Sequence, residues 1–294
     1  MIAALNFPDI DPNLISFEIF GITLALRWYA LAYIGGLILA WRIVRGLMAR
    51  PGLWANNTPP MDTRAPEDLL TYMILGVILG GRLGFVIFYR PAHYVENPAD
   101  ILKVWEGGMS FHGGFVGVIL ATLLFCRLRN LPPISVGDAV AFSATQGLFW
   151  GRLANFINGE LWGRGTTMPW GVIFPDQRAG RCDVWGNQPC ARHPSQLYEA
   201  ALEGLLLFVV MAIAIRFGAL KRPGLLIGIF LFGYGAARYF VEFYRQPDLQ
   251  FAAPDNPTGY AYWIGDFGIT MGQALSLPMI LCGALVIALA LRPK

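Results

Sequence analysis

The chain has 294 residues, of which 55% are hydrophobic and only 14% charged, and its mean hydropathy is +0.50. A soluble domain carries about 25% charged residues, so much of this surface is built for lipid rather than water. The net charge of +3 is too slight for a nucleic-acid surface, and four cysteines in so apolar a chain argue against both disorder and a disulfide scaffold.

Apolar runs of roughly 17 to 25 residues, the length that crosses a bilayer as a helix, predict seven segments in chain order: 18–41, 68–89, 110–126, 136–158, 195–215, 224–244 and 272–291. The run 110–126 is short, while 136–158 and 224–244 each enclose charge. The expected fold class is an all-α integral membrane protein of about seven transmembrane helices, a single polytopic domain over 1–294. The connections 42–67, 127–135, 216–223 and 292–294 hold 11 Lys/Arg in 46 residues, against 7 in 100 for 1–17, 90–109, 159–194 and 245–271. The positive-inside rule makes the first set cytoplasmic. The N-terminus is then outside, the C-terminus inside, and the outer loops are about 90–109, 159–194 and 245–271. No Lys or Arg precedes Arg27, so the first segment lacks the basic start of a cleaved signal and is expected to be retained.

Gly76, Gly80 and Gly84 recur every four residues, as do Gly113 with Gly117 and Gly224 with Gly228. Such stripes let helix backbones approach where lipid supplies no hydrophobic drive. Gly107, Gly108, Gly113 and Gly114 surround Met109–His112 at a membrane entry and could free backbone for a ligand. Cys182 and Cys190 share an outer loop where a disulfide is permitted, whereas Cys126 and Cys282 fit packing positions. The sequence has no zinc-spaced Cys/His cluster, phosphate-binding loop or dinucleotide fingerprint, so neither metal nor cofactor is expected.

Ionisable residues at bilayer depth are costly and mark function by default. Arg27, Arg82, Arg152, Arg238, Glu203 and Glu242 fall within the predicted segments, with Glu199 nearer an outer helix end. Arg238 and Glu242 share a helix face with Tyr234 one turn before and Arg245 one turn after, a net positive stripe suited to phosphate. In Gly151–Arg164, Arg152, Asn155 and Asn158 follow at spacings of three and present a guanidinium and two amides together. A guanidinium fork matches phosphate oxygens bidentately and stays charged when partly desolvated. Glu160 could orient that fork or act as an acid or base. His112, set among glycines at the outer start of a helix, could exchange a proton near neutral pH. His193, before Pro194-Ser195-Gln196, reads as a structural or capping residue.

The run Gly151–Arg164, with its Gly-Arg, Asn-Phe, Asn, Glu and Gly, resembles the signature of bacterial prolipoprotein diacylglyceryl transferases. Arg27-Trp28-Tyr29, Gly80–Gly84, Gly107–Gly114, Arg192–Glu199 and Arg238–Arg245 resemble supporting blocks of the same family, in the same order. The resemblance implies a seven-helix enzyme of the bacterial inner membrane with its site toward the periplasm. Such an enzyme moves the diacylglyceryl group of phosphatidylglycerol to the lipobox cysteine of a prolipoprotein signal peptide and releases glycerol 1-phosphate, without a cofactor. It implies essential positions at Tyr29, His112, Arg152, Asn155, Glu160, Gly163, Arg238 and Glu242. His112 is then the candidate base, Arg152 and Arg238 stabilise the leaving phosphate, and Asn155, Gly163, Tyr234, Glu242 and Arg245 complete the lipid site. Glu160 and Glu242 are expected to hold the arginines. Arg27 departs from the family, which often has His there, and this weakens a catalytic role at that position. A small-anion transporter is the rival from another class, but neither an internal repeat nor paired broken helices are visible. A structural membrane anchor would not need several outward-clustered arginines.

Overall fold

The computed structural model describes residues 4–19, 22–180, 189–247, 250–253 and 255–292. The protein is mostly helical, with five helices long and apolar enough to cross a membrane: Trp28–Met48 (α1), Ala65–Phe88 (α2), Phe111–Arg129 (α4), Ser195–Arg216 and Met271–Leu291 (α9). Leu225–Val241 (α8) is apolar but shorter, at 17 residues. Pro133–Ile157 (α5) is long enough, but Asp138, Arg152 and Asn155 dilute its hydropathy. Pro91–Glu96 (α3) is a short helix in the expected loop 90–109.

Two expectations need correction. The first span begins at Trp28, not at residue 18. Residues Asn13–Ile19 (β2) and Ile22–Arg27 (β3) pair antiparallel instead, Phe17 opposite Leu24 and Ser16 opposite Ala25. An apolar run alone does not separate strand from helix, and Ile15, Ile22 and Thr23 are β-branched residues that favour the strand. The fold is also not purely helical. Leu5–Asn6 (β1), Val172–Ile173 (β4) and Ala191–Arg192 (β5) form a small sheet in the order β1-β4-β5, and Tyr260–Ile264 (β6) pairs with Phe267–Thr270 (β7). Phe7, Phe156 and Trp162 pack on the buried Val172, Phe174 and Ala179 at that sheet. The connections between the helices thus carry structure of their own.

The chain divides into two compact units, residues 41–140 and residues 1–40 with 141–294. In the first, the glycine stripes meet directly. A Cβ at Gly117 would lie 2.0 Å from the Gly76 carbonyl oxygen, and one at Gly113 would lie 2.3 Å from that of Gly80. Helices α2 and α4 therefore touch backbone to backbone. Arg82 on α2 is 5% exposed and entirely consumed within this unit. Its Nε donates to Ile101 O, Nη1 to Gly107 O and Gly108 O, and Nη2 to Asp100 O and Lys103 O. The buried charge thus folds the segment 100–108 onto α2, and the Gly107 and Gly108 carbonyls serve Arg82. Ser110 caps α4 by accepting from Gly113 N.

In the second unit α8 and α9 pack through Gly228, Gly235 and Gly283, a Cβ at Gly283 falling 2.4 Å from Phe232 N. Gly224 precedes α8. It adopts φ +92° as the N-cap of α8. The long span Ser195–Arg216 is α6 (Ser195–Glu199), a π-helical stretch Ala200–Leu206 and α7 (Leu207–Arg216). Gly204 in the π stretch abuts α5, where an added Cβ would lie 2.7 Å from Phe149 Cα. Cys190 is buried at β5, while Cys182 lies outside the described residues.

Candidate active site

The polar centre of the second unit is assembled from α5, the end of α6, the start of the π stretch, and α8 with the turn that follows it. Arg152 Nε lies 3.0 Å from Glu199 Oε2, and its Nη2 lies 3.9 Å from Glu203 Oε2. Arg238 Nη1 lies 2.7 Å from Glu242 Oε2 and 3.6 Å from Glu199 Oε1. Arg245 Nη1 donates to Glu199 Oε1 at 2.5 Å, and its Nε lies 3.6 Å from Glu242 Oε2. The charges are layered. Side chains of Arg152, Arg238 and Arg245 are 21%, 18% and 19% exposed, whereas those of Glu199, Glu203 and Glu242 are 0%, 0% and 8% exposed. An anion entering from the open side meets cations first, with carboxylates behind.

This arrangement changes the electrostatic reading of the sequence. Arg238, Glu242 and Arg245 alone form a net positive stripe, but Glu199 and Glu203 arrive from another helix and balance the three arginines. What remains for a ligand is donor capacity. Among the described residues, Arg152 Nη1, Arg238 Nη2 and Arg245 Nη2 donate no hydrogen bond to the protein. Buried ion pairs are costly to desolvate and hold only with good geometry, so a cluster this dense needs fixed neighbours. Glu242 has one, because Thr270 Oγ1 at the start of α9 donates to its Oε1 at 3.2 Å. Thr270 and Gln273 form the capping box of that helix.

Among the described residues, Glu160 pairs with no arginine. Its Oε1 accepts from Asn155 Nδ2 at 2.8 Å and from Asn158 Nδ2 at 3.3 Å, so the signature's amides and carboxylate organise each other. The turn around it is tight, with Gly159 at φ +64° and Leu161 at φ +58°. A non-glycine residue there is strained and needs outside support. Ser195 Oγ donates to Leu161 O and Gln196 Nε2 to Glu160 O. Ser195 and Gln196 therefore stitch the signature turn to α6; no side-chain cap forms at that helix start. His193 Nδ1 sits 3.0 Å from the Tyr198 hydroxyl, and burial pushes its pKa down.

Gly163 owes its identity to backbone crowding. It donates to His193 O and forms a bridge with Arg245, and a Cβ there would fall 2.3 Å from Tyr244 O. Arg192, buried beneath, stacks on Trp162 and donates to Gly163 O and to Gln246 Oε1. Tyr29 bonds the Tyr33 hydroxyl at 3.0 Å and lies within electrostatic reach of Glu160 and Arg152. Tyr234 stands likewise toward Glu203, Arg152, Arg238 and Glu199. A cavity of about 100 Å³ beside Glu242 is lined by Arg164, Thr258, Tyr260 and Thr270 among others. His112 belongs to the first unit, exposed on the first turn of α4 and edge-on to Phe111. Gln196 is a partner that the sequence did not single out, and Glu199 stood out there only as an ionisable residue near a helix end, with no arginine assigned to it.

Fold and site define a class: a helical membrane protein whose polar chemistry is an arginine–carboxylate cluster made from several helices. Residues 15–289 match the family described as prolipoprotein diacylglyceryl transferase, and the chain belongs to that family. It is 58% identical over 285 residues, 96% of each chain, to a phosphatidylglycerol–prolipoprotein diacylglyceryl transferase of Ruegeria pomeroyi. Proteins of the same name from Roseobacter denitrificans and Rhizobium meliloti are 53% and 47% identical, over 99% and 98% of this chain and 99% and 95% of theirs.

Proposed function

We propose that the protein transfers the sn-1,2-diacylglyceryl group of phosphatidylglycerol to the lipobox cysteine of prolipoproteins, the first step of bacterial lipoprotein maturation. The observation that carries this reading is the cluster of Arg152, Arg238 and Arg245, three guanidiniums with unengaged nitrogens over a buried carboxylate layer. The cysteine sulfur, as thiolate, attacks the glyceryl carbon that bears the phosphate ester. A carbon–sulfur bond forms, the carbon–oxygen bond breaks, and glycerol 1-phosphate leaves with the electron pair. A thiol is a poor nucleophile and must lose its proton. His112 is the residue we assign to take it, on the strength of its motif. The leaving phosphate gains negative charge as the bond breaks, so preorganised guanidiniums favour the transition state over the ground state. Arg152 and Arg238 supply that stabilisation, Glu242 holds Arg238 and Arg245, and Asn155, Glu160, Tyr29 and Tyr234 shape the head-group site. No metal or cofactor enters this scheme, because the lipid carries its own leaving group.

The proposed topology keeps seven crossings, α5 and α8 added to the five long apolar helices, with the N-terminus periplasmic and the C-terminus cytoplasmic in the inner membrane. The charge asymmetry of the connections supports it. The test uses purified protein in detergent with phosphatidylglycerol and a lipobox peptide, following glycerol 1-phosphate release and peptide mass. Release that requires the peptide cysteine is expected. No release from folded protein overturns the reading.

A further inference from the structure

Glu199 occupies a position that no other carboxylate shares among the described residues. Glu203 reaches only Arg152, at 3.9 Å, and Glu242 reaches Arg238 and Arg245 but not Arg152. Glu199 reaches all three. Its two oxygens divide the work, Oε2 meeting Arg152 and Oε1 meeting both Arg238 and Arg245. The carboxylate is fully buried at the last residue of α6, where the π stretch begins. Single π turns of this kind are local devices that re-aim side chains. The close seat of Gly204 against Phe149 brings this part of the helix onto α5, the helix that carries Arg152.

We propose that Glu199 is the positioning residue of the arginine cluster, one buried carboxylate setting the rotamers of Arg152, Arg238 and Arg245 so that their unengaged edges converge on one phosphate. The proposal rests on the transferase reading and deepens it. Glu199 is shielded behind the guanidiniums and acts through them. Charge and shape are both required. Glutamine has the same shape but puts an NH2 donor where one oxygen stood, so either Arg152 or the Arg238–Arg245 pair meets a donor instead of an acceptor. Aspartate keeps the charge but is shorter by one methylene and cannot span both sides.

The experiment is a double-mutant cycle on the full-length enzyme, with phosphatidylglycerol and a lipobox peptide, reading kcat and KM separately. Glu199→Gln is expected to lower kcat about 100-fold with KM for the lipid changed less than about 3-fold, because the misaligned forks fail mainly as leaving-group charge develops. Arg152→Lys should cost about 100-fold in the native background but less than about 5-fold in Glu199→Gln, since its alignment is already lost. A merely structural carboxylate would instead lower the melting midpoint and leave the two losses multiplicative. Wild-type enzyme that releases no glycerol phosphate overturns the transferase reading itself. Active wild type with multiplicative losses, or Glu199→Gln within about 3-fold of it, overturns the positioning role alone. If Glu199→Gln does not fold, the same cycle run with Glu199→Asp is expected to show the same non-additivity, and additive losses there overturn the proposal.

Discussion

One methyl group added at Gly163 should displace the backbone that carries Arg245. A Cβ at this position would lie 2.3 Å from Tyr244 O, 2.8 Å from His193 O and 2.9 Å from His193 Cβ, where ordinary contact begins at 3.4 Å. About 1 Å must open, and the obstacles are backbone atoms and a Cβ, not the ends of flexible side chains. Two of them are engaged: Gly163 N donates to His193 O and Arg164 N to Tyr244 O, both at 2.8 Å. Relief has to shift the segment 244–245, and Arg245 then leaves its 2.5 Å contact with Glu199. A misplacement of about 1 Å in a positioning group costs roughly 100-fold in rate. Gly163→Ala is therefore expected to retain membrane insertion, because the clash lies outside the spanning helices, yet to lose turnover about 100-fold. The assay is glycerol phosphate release by equal amounts of monodisperse protein with matched thermal midpoints. Turnover within about 3-fold of wild type would refute the backbone argument.

Three further outcomes are expected. Arg82→Met leaves the carbonyls of Asp100, Ile101, Lys103, Gly107 and Gly108 without their donor; a loss of at least about 3 kcal/mol is expected, and an unchanged midpoint in detergent melts would contradict it. His112→Gln should abolish most transfer while leaving insertion and lipid binding intact, and near-normal turnover would exclude His112 as the base. Burial holds the His193 pKa below its usual value, so the unfolded chain takes up the proton more readily. Stability should then fall as pH drops through about 6.5 and less steeply in His193→Asn, with parallel pH profiles of the melting midpoint counting against this.

Arg152, Asn155 and Glu160 stand out in the sequence because polar residues are scarce in a chain with 14% charged residues, and scarcity makes each one informative. The same scarcity marks Arg82, which the fold spends on its own backbone. Desolvation cost flags both kinds of arginine alike and does not say who satisfies them. The hairpin β2–β3 is not legible in composition, because an apolar run has the same make-up whether it spans lipid or pairs with its neighbour.

Sequence by itself determined that the protein is a helical membrane protein, which helices carry glycine stripes, and which short run resembles the family's signature. Those features depend on composition and on spacing within one segment, and both are local. Only the tertiary structure decided that Glu199, not Glu160, gathers the arginines, that Glu160 organises Asn155 and Asn158, and that Gly163 exists for a backbone crossing. The partners Arg152 and Glu199 are 47 residues apart on different helices. Which carboxylate meets which guanidinium is settled by helix packing, down to the approach of Gly204 to Phe149, and no periodicity within either helix encodes that distance.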